Sequence, residues 1–352
     1  MSVPLPRVAV LALGGTIASA GPSGAGVAPS LSAEQLVTSV PALAGAAEIS
    51  AETFRQLPSP ELTLADVIAL AAEIESRIAA GAAGVVVTQG TDTLEETAFA
   101  LDLLVGGDAP VVVTGAMRNP VLPGADGPAN LLAAVRAAAS RQTRGIGCLV
   151  VFADEIHAAR FVRKAHTQSV SPFHSSPAGP IGWLSEGAVR IGARPVGRRR
   201  LVLPDSAIPG PVALLTLGSG DEGLLLGAVE GSGARGLVLE ATGGGHTPAS
   251  WAPELERLAG VMPVILASRT GAGELLRRTY SFVGSEIDLV ERGLIPAGYL
   301  TAAKARVLVR LLLAAGASVG DVREAFDALG APCDESASAV GGALVLSPSG
   351  RS

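Results

Sequence analysis

The chain has 352 residues, 48% apolar and 3% aromatic, with a mean hydropathy of +0.45. That is long enough for two domains and apolar enough for large cores, which excludes an intrinsically disordered protein. A net charge of -6 and a pI of about 5.4 argue against nucleic acid or an anionic membrane as partner, because phosphate surfaces are read by basic faces.

The first apolar run, 8–13, follows a single basic residue, Arg7, and ends in Gly14-Gly15 with no small-residue cleavage site. It is too short to span a bilayer, so it reads as a buried strand of a soluble cytoplasmic enzyme. Residues 64–78 have helical periodicity. The β-branched run 84–88 leads into Gln89-Gly90-Thr91-Asp92, and a helix at 94–104 follows, with Thr93-Leu94-Glu95-Glu96 in capping-box spacing. A strand at 111–114 leads into Gly115-Ala116-Met117-Arg118, then a helix at 130–139. A strand at 148–152 opens on Cys148, which reads as core, and leads into Ala153-Asp154-Glu155. Continuous β-branched runs without alternation mark strands buried on both faces, as in a parallel sheet.

The interval from Arg190 to Pro211 changes character. It carries Arg198-Arg199-Arg200, read as a solvated loop rather than a phosphate grip, together with Pro204, Pro209 and Pro211. A second series follows: strand 212–217, helix 224–229, strands 237–240 and 264–267, and helices 302–314 and 319–329. The fold class is α/β, in two domains, each with a mostly parallel sheet flanked by helices. The domains are expected at 1–203 and 211–352, with 204–210 as linker.

Three strand ends carry Thr, Gly or Asp: Gly14-Gly15-Thr16, Gly90-Thr91-Asp92 and Thr114-Gly115-Ala116. In open parallel sheets, ligands bind beyond the carboxyl ends of strands. Glycines let backbone amides approach a ligand, while hydroxyls and a carboxylate supply a nucleophile and a polar grip. Singly, Gly-Gly-Thr is more often a turn and Thr-Asp a helix cap; together they point to one site.

These segments resemble the bacterial-type asparaginases. Leu13-Gly14-Gly15-Thr16-Ile17-Ala18 is similar to that family's first signature, and Thr88-Gln89-Gly90-Thr91-Asp92-Thr93-Leu94-Glu95-Glu96-Thr97-Ala98 to its second, more specific one. Residues 112–118, 125–131 and 302–308 resemble later segments, in the right order along most of the chain. The resemblance implies hydrolysis of L-asparagine to L-aspartate and ammonia. Thr16 would be the nucleophile, and Thr91, Asp92 and Lys164 a second catalytic group. Ser59 would hold the substrate carboxylate, Asp92 its ammonium, and Glu286 of a neighbouring subunit would complete the site in a homotetramer built from intimate dimers. Gly15, Gly90, Thr91 and Ala116 would line the pocket. No metal and no cofactor are implied.

The physical logic agrees. A threonine hydroxyl needs a base, and Thr16 is internal, so its own α-amine cannot serve. A lysine desolvated beside a carboxylate can, if its pKa is lowered. Amides near Gly90-Thr91 and Ala116 are candidate oxyanion donors. Three departures from the family pattern stand out. The loop 19–28 has no tyrosine, with Gly26 near the usual place; Gln89 stands where histidine is usual, and His246 near a usual asparagine.

Competing readings come from other classes. A broader glutaminase-asparaginase is one, and a non-catalytic amino-acid sensor on the same fold another. A dinucleotide-binding unit is a third, because Gly218-Ser219-Gly220-Asp221-Glu222-Gly223 follows a strand and precedes an expected helix, with Glu240 ending the next strand. Against it, Asp221 and Glu222 sit where a pyrophosphate would approach. Cys148 and Cys333 form no C-x-x-C pair. His157, His166 and His174 match no metal spacing, and no G-x-S-x-G elbow is present.

Overall fold

The computed structural model describes residues 4–20, 28–330 and 343–344. Gly26 and Cys333 lie outside the described residues. The chain divides into two compact units, Met1–Arg198 and Arg199–Ser352.

Among the described residues, the first unit holds an eight-stranded sheet. Its strands are β1 (Arg7–Gly14), β2 (Glu48–Leu57), β3 (Gly84–Thr88), β4 (Val111–Thr114), β5 (Cys148–Phe152), β6 (Glu155–Ala158), β7 (Gly182–Ser185) and β8 (Ala188–Ile191). The order is β8-β7-β6-β5-β4-β3-β1-β2. Strands β2, β1, β3, β4 and β5 are mutually parallel, and β6, β7 and β8 extend the sheet by antiparallel pairing. From β1 the chain adds β2 on one side and then returns to build the rest on the other. The topological switch point therefore lies between β1 and β3, where open α/β sheets place their ligands.

The apolar runs are strands because both faces are covered. Val8, Val10, Val86, Val112, Leu149 and Val151 share one core with α1 (Ala33–Thr38) and α4 (Gly127–Ala139). The alternate residues Val85, Val87, Val111 and Val113 are equally buried, and α2 (Leu64–Ala79) and α3 (Leu94–Leu104) pack against β3, β4 and β5. Helix α2 starts with a capping box in which Thr63 Oγ1 accepts from Asp66 N and Asp66 Oδ2 accepts from Thr63 N. Its buried Leu64, Val67, Leu70, Ala71 and Ile74 form one helical stripe.

The second unit has a four-stranded parallel sheet: β9 (Ala213–Thr216), β10 (Leu237–Ala241), β11 (Val264–Ser268) and β12 (Ile295–Pro296), in that order. Helices α5 (Ala252–Ala259), α6 (Glu286–Glu291), α7 (Ala302–Ala314) and α8 (Val319–Gly330) complete it. No helix of the described residues is long and apolar enough to cross a membrane.

Several expectations need correction. Residues 224–229 form no α-helix; two 3-10 turns, Leu226–Ala228 and Glu230–Ser232, stand there. Gly227 falls within this stretch and Gly223, Gly231 and Gly233 flank it, and a glycine inside a helix costs about 1 kcal/mol relative to alanine. Thr93 makes no cap bond; its hydroxyl donates to Ser59 O and accepts from Gln89 Nε2 instead. Helix α4 begins at Gly127 rather than 130, with Pro128 in its first turn. The arginine run is not a solvated loop. Arg198 donates to Val105 O at 2.7 Å and Gly107 O at 3.1 Å, just past the C-terminal end of α3. A cation is favoured there by the helix dipole.

Candidate active site

The three Thr-rich loops leave adjacent strands. Gly14-Gly15-Thr16 follows β1, Gln89 to Asp92 follows β3, and Gly115 to Arg118 follows β4. The first two flank the switch point. Gly15 has φ +81°, and a Cβ on it would fall on the Gly90 backbone; one on Gly90 would lie 2.8 Å from Ser59 Oγ. The loops that carry Thr16 and Thr91 therefore meet backbone to backbone, and Ser59 comes in from the turn after β2. Thr16 is half-buried at the head of a 3-10 turn, Thr16–Ala18, while Gly15, Ser59, Gly90, Thr91 and Ala116 are buried.

Lys164 completes the cluster from a distant part of the sequence. Its Nζ donates to Thr91 Oγ1 at 2.8 Å and to Asp92 Oδ1 at 2.6 Å. The lysine side chain is 16% exposed and the Asp92 carboxylate 63%, so one face of the pair is open. Lys164 lies in the short strand Arg163–Lys164, paired antiparallel with Phe173–His174, and its amide donates to Glu95 at the first turn of α3. The chain has twenty-six Lys and Arg in all, of which two are lysine, Lys164 and Lys304. That scarcity is a signal in the sequence, because a lysine can give up a proton where an arginine cannot.

A second set of side chains, not singled out from sequence, holds the β4 loop. Asp126 accepts from the Met117 and Arg118 amides at 2.9 and 2.8 Å. Asn130 donates to Gly115 O at 3.0 Å and accepts from Ala153 N at 3.0 Å, tying the loops after β4 and β5 together. Thr114 Oγ1 donates to Val151 O at 2.7 Å. Both Asp126 and Asn130 lie in the motif segment 125–131, but their roles depend on contacts that spacing does not disclose. Gln89 is fully buried and donates to Thr93 Oγ1 at 3.2 Å, so it sits behind the loop.

Glu286 belongs to the second unit. It is fully buried, with Oε1 accepting from the Thr279 and Tyr280 amides at 2.8 Å each, and Oε2 3.2 Å from His246 Nε2. Burial works to raise its carboxyl, but the two amides and His246 hold it below the usual carboxylate range. The His246 ring packs edge-on against Tyr280 and Phe282.

The competing chemistry lacks its parts. Gly218 to Gly223 opens no helix, so no helix N-terminus faces a pyrophosphate, and Asp221 instead accepts from the Gly223 amide. Among the described residues no cluster of His, Cys, Asp and Glu could hold a metal ion. Cys148 is buried beside Asp102, and burial pushes its thiol well up, which makes it inert.

Comparison with known proteins agrees across most of the chain. The family model described as "Asparaginase, N-terminal" matches residues 7–197, and "Glutaminase/Asparaginase C-terminal domain" matches residues 211–326. A probable L-asparaginase of Deinococcus radiodurans is 42% identical over 334 residues, covering 93% of this chain and 98% of that one. A probable periplasmic L-asparaginase of Haemophilus influenzae is 34% identical, covering 88% and 89%. The crystal structure of a probable cytoplasmic L-asparaginase from Campylobacter jejuni superposes with a TM-score of 0.80 at 29% identity, covering 92% of this chain and 99% of that one.

Proposed function

The chain belongs to the asparaginase family, and on that premise we propose that it hydrolyses the side-chain amide of L-asparagine to L-aspartate and ammonia. The observation that supports this most is the Lys164 Nζ lodged on Thr91 and Asp92, in the loop whose Gly90 backs onto Gly15. With Lys164 as the neutral amine, Thr16 Oγ attacks the amide carbon, and its proton passes through Thr91 to Lys164. The same group returns a proton to the departing ammonia, and water then releases aspartate. Lysine can give up a proton where arginine cannot. Amides of Thr91 and Ala116 take the developing oxyanion. Ser59 receives the substrate carboxylate, the exposed Asp92 carboxylate its ammonium, and Glu286 comes from a neighbouring subunit of a tetramer. The enzyme acts in the cytoplasm.

Ammonia release from L-asparagine, run beside L-glutamine and D-asparagine, tests the reading. Turnover is expected with L-asparagine and none with Thr16→Ala. Binding of asparagine without ammonia release would make the chain a sensor. Tight NAD binding without amidase activity would restore the dinucleotide reading.

A further inference from the structure

Lys164 has to be held against Thr91 and Asp92 by a two-residue strand, and so short a strand needs support from its flanks. One flank is visible already: Phe173, the partner of Lys164 in register, is buried with its ring centroid 5.1 Å from that of Phe152 on β5. Ala165 N also donates to Pro172 O at 2.7 Å across the same ribbon. Two residues beyond Phe173 stands Ser175, whose Oγ lies 2.9 Å from Nδ1 of His157 on β6. Both side chains are buried, and His157 Nε2 lies 3.3 Å from Glu155 Oε2.

We infer that the buried Ser175–His157 hydrogen bond is the strut that pins the Phe173–His174 strand to the main sheet and so positions Lys164 on Thr91 and Asp92. His157 and Ser175 are positioning residues that act through Lys164, and the inference rests on the role proposed for Lys164 above. The groups facing the imidazole are Glu155 on its own strand and Ser175 and His174 from the ribbon. Burial, with His174 nearby, holds the imidazole down to about 4, so the ring is neutral in the working range. A neutral ring with its proton on Nε2 accepts the Ser175 hydroxyl at Nδ1, with Glu155 Oε2 3.3 Å from Nε2.

The row Ser175–His157–Glu155 also has the residue types of a nucleophile–base–acid relay. Here the imidazole meets the hydroxyl through Nδ1, and the carboxylate is 43% exposed, where it orients the ring weakly. A mechanical role fits these contacts better than a second hydrolytic one.

The two-lysine composition makes the test direct. An amine-reactive succinimidyl ester can modify only Lys164, Lys304 and the N-terminus, and mass spectrometry resolves them. Lys304 is 1% exposed and serves as the within-chain reference. In folded Ser175→Ala, Lys164 should be labelled several-fold faster than in wild type, with Lys304 unchanged. Loss of alignment should lower kcat by about a hundredfold, with KM held within about twofold. His157→Ala should match it, and the double variant should be no worse than either single one. His157→Asn, whose side-chain oxygen can stand in for Nδ1, should restore both readouts. If His157→Ala fails to fold, Ser175→Ala and His157→Asn carry the test. An unchanged Lys164 labelling rate in Ser175→Ala overturns the strut, whatever activity does. Equal rates in His157→Asn and His157→Ala overturn it as well, by placing the effect in ring packing. Faster labelling with unaltered kcat leaves the strut standing and removes Lys164 from the mechanism.

Discussion

The Lys164–Asp92 pair of the first unit and the His246–Glu286 pair of the second use similar ingredients, a carboxylate beside a basic nitrogen, in opposite settings. Asp92 is largely exposed and Lys164 donates to it and to a threonine hydroxyl, so the pair can exchange a proton or accept a ligand without losing a buried bond. Glu286 is fully buried, and two backbone amides hold one of its oxygens as a fixed charge. The first arrangement suits a group that changes state during a reaction; the second suits a charge that only recognises one. The sharpest way to break that contrast is to exchange what each can do.

The largest effect is expected at the open pair. Lys164→Met and Thr91→Ala should each leave a folded protein with kcat lowered on the order of 10⁴-fold, since members of one catalytic unit fail together. Steady-state ammonia assays with circular dichroism as the folding control check this, and near-normal turnover in either variant removes that residue from the chemistry.

A stability effect follows behind it. His157 is held at about 4 against its ordinary 6.5, so between those values the folded chain binds fewer protons than the unfolded chain. Stability therefore rises with pH across that window, and acidification through it should remove about 3 kcal/mol. Urea titrations at about pH 7 and about pH 4 should show this loss in wild type and much less of it in His157→Asn; equal losses would place the acid sensitivity elsewhere.

Asn130→Ala should destabilise by on the order of 2 kcal/mol, because it leaves the buried Gly115 carbonyl and Ala153 amide without that partner. Since it also loosens the Ala116 loop, kcat should fall more than KM rises. The reverse split would mean that the loop grips substrate rather than the developing charge.

The smallest effect is expected at the fixed pair. Glu286→Gln keeps the shape and removes the charge, and should raise KM for asparagine on the order of tenfold with kcat little changed. A fall in kcat with KM unmoved would erase the distinction between the two clusters.

Much of this arrangement was legible from local sequence. The runs 84–88, 111–114 and 148–152 coincide with strands because burial on both faces leaves an uninterrupted apolar signature. Helices 94–104 and 302–314 also lie where their periodicity placed them. Strand Glu48–Leu57 left no such mark, because it closes one edge of the sheet and keeps several side chains in solvent. The antiparallel returns β6, β7 and β8 are four residues each, too short to impose a period. In the site, the Thr and Gly positions announced themselves by motif. Lys164 came only through family resemblance, since its neighbours Thr91 and Asp92 are more than seventy positions away. The Asn130 bridge and the Ser175–His157 contact are long-range side-chain bonds that no spacing encodes.

The central claim is that Thr16 carries the acyl group while Thr91, Asp92 and Lys164 move the protons. It is tested most directly by mass spectrometry of the Thr16 peptide after rapid acid quench of wild-type enzyme turning over L-asparagine, with hydroxylamine added in a parallel reaction. An aspartyl mass on that peptide, absent in Thr16→Ala, together with hydroxamate formed at the expense of aspartate, is the predicted result. An unmodified Thr16 peptide, no hydroxamate, and substantial hydrolysis by Thr16→Ala would instead mean that water activated by Thr91 and Lys164 attacks the amide directly.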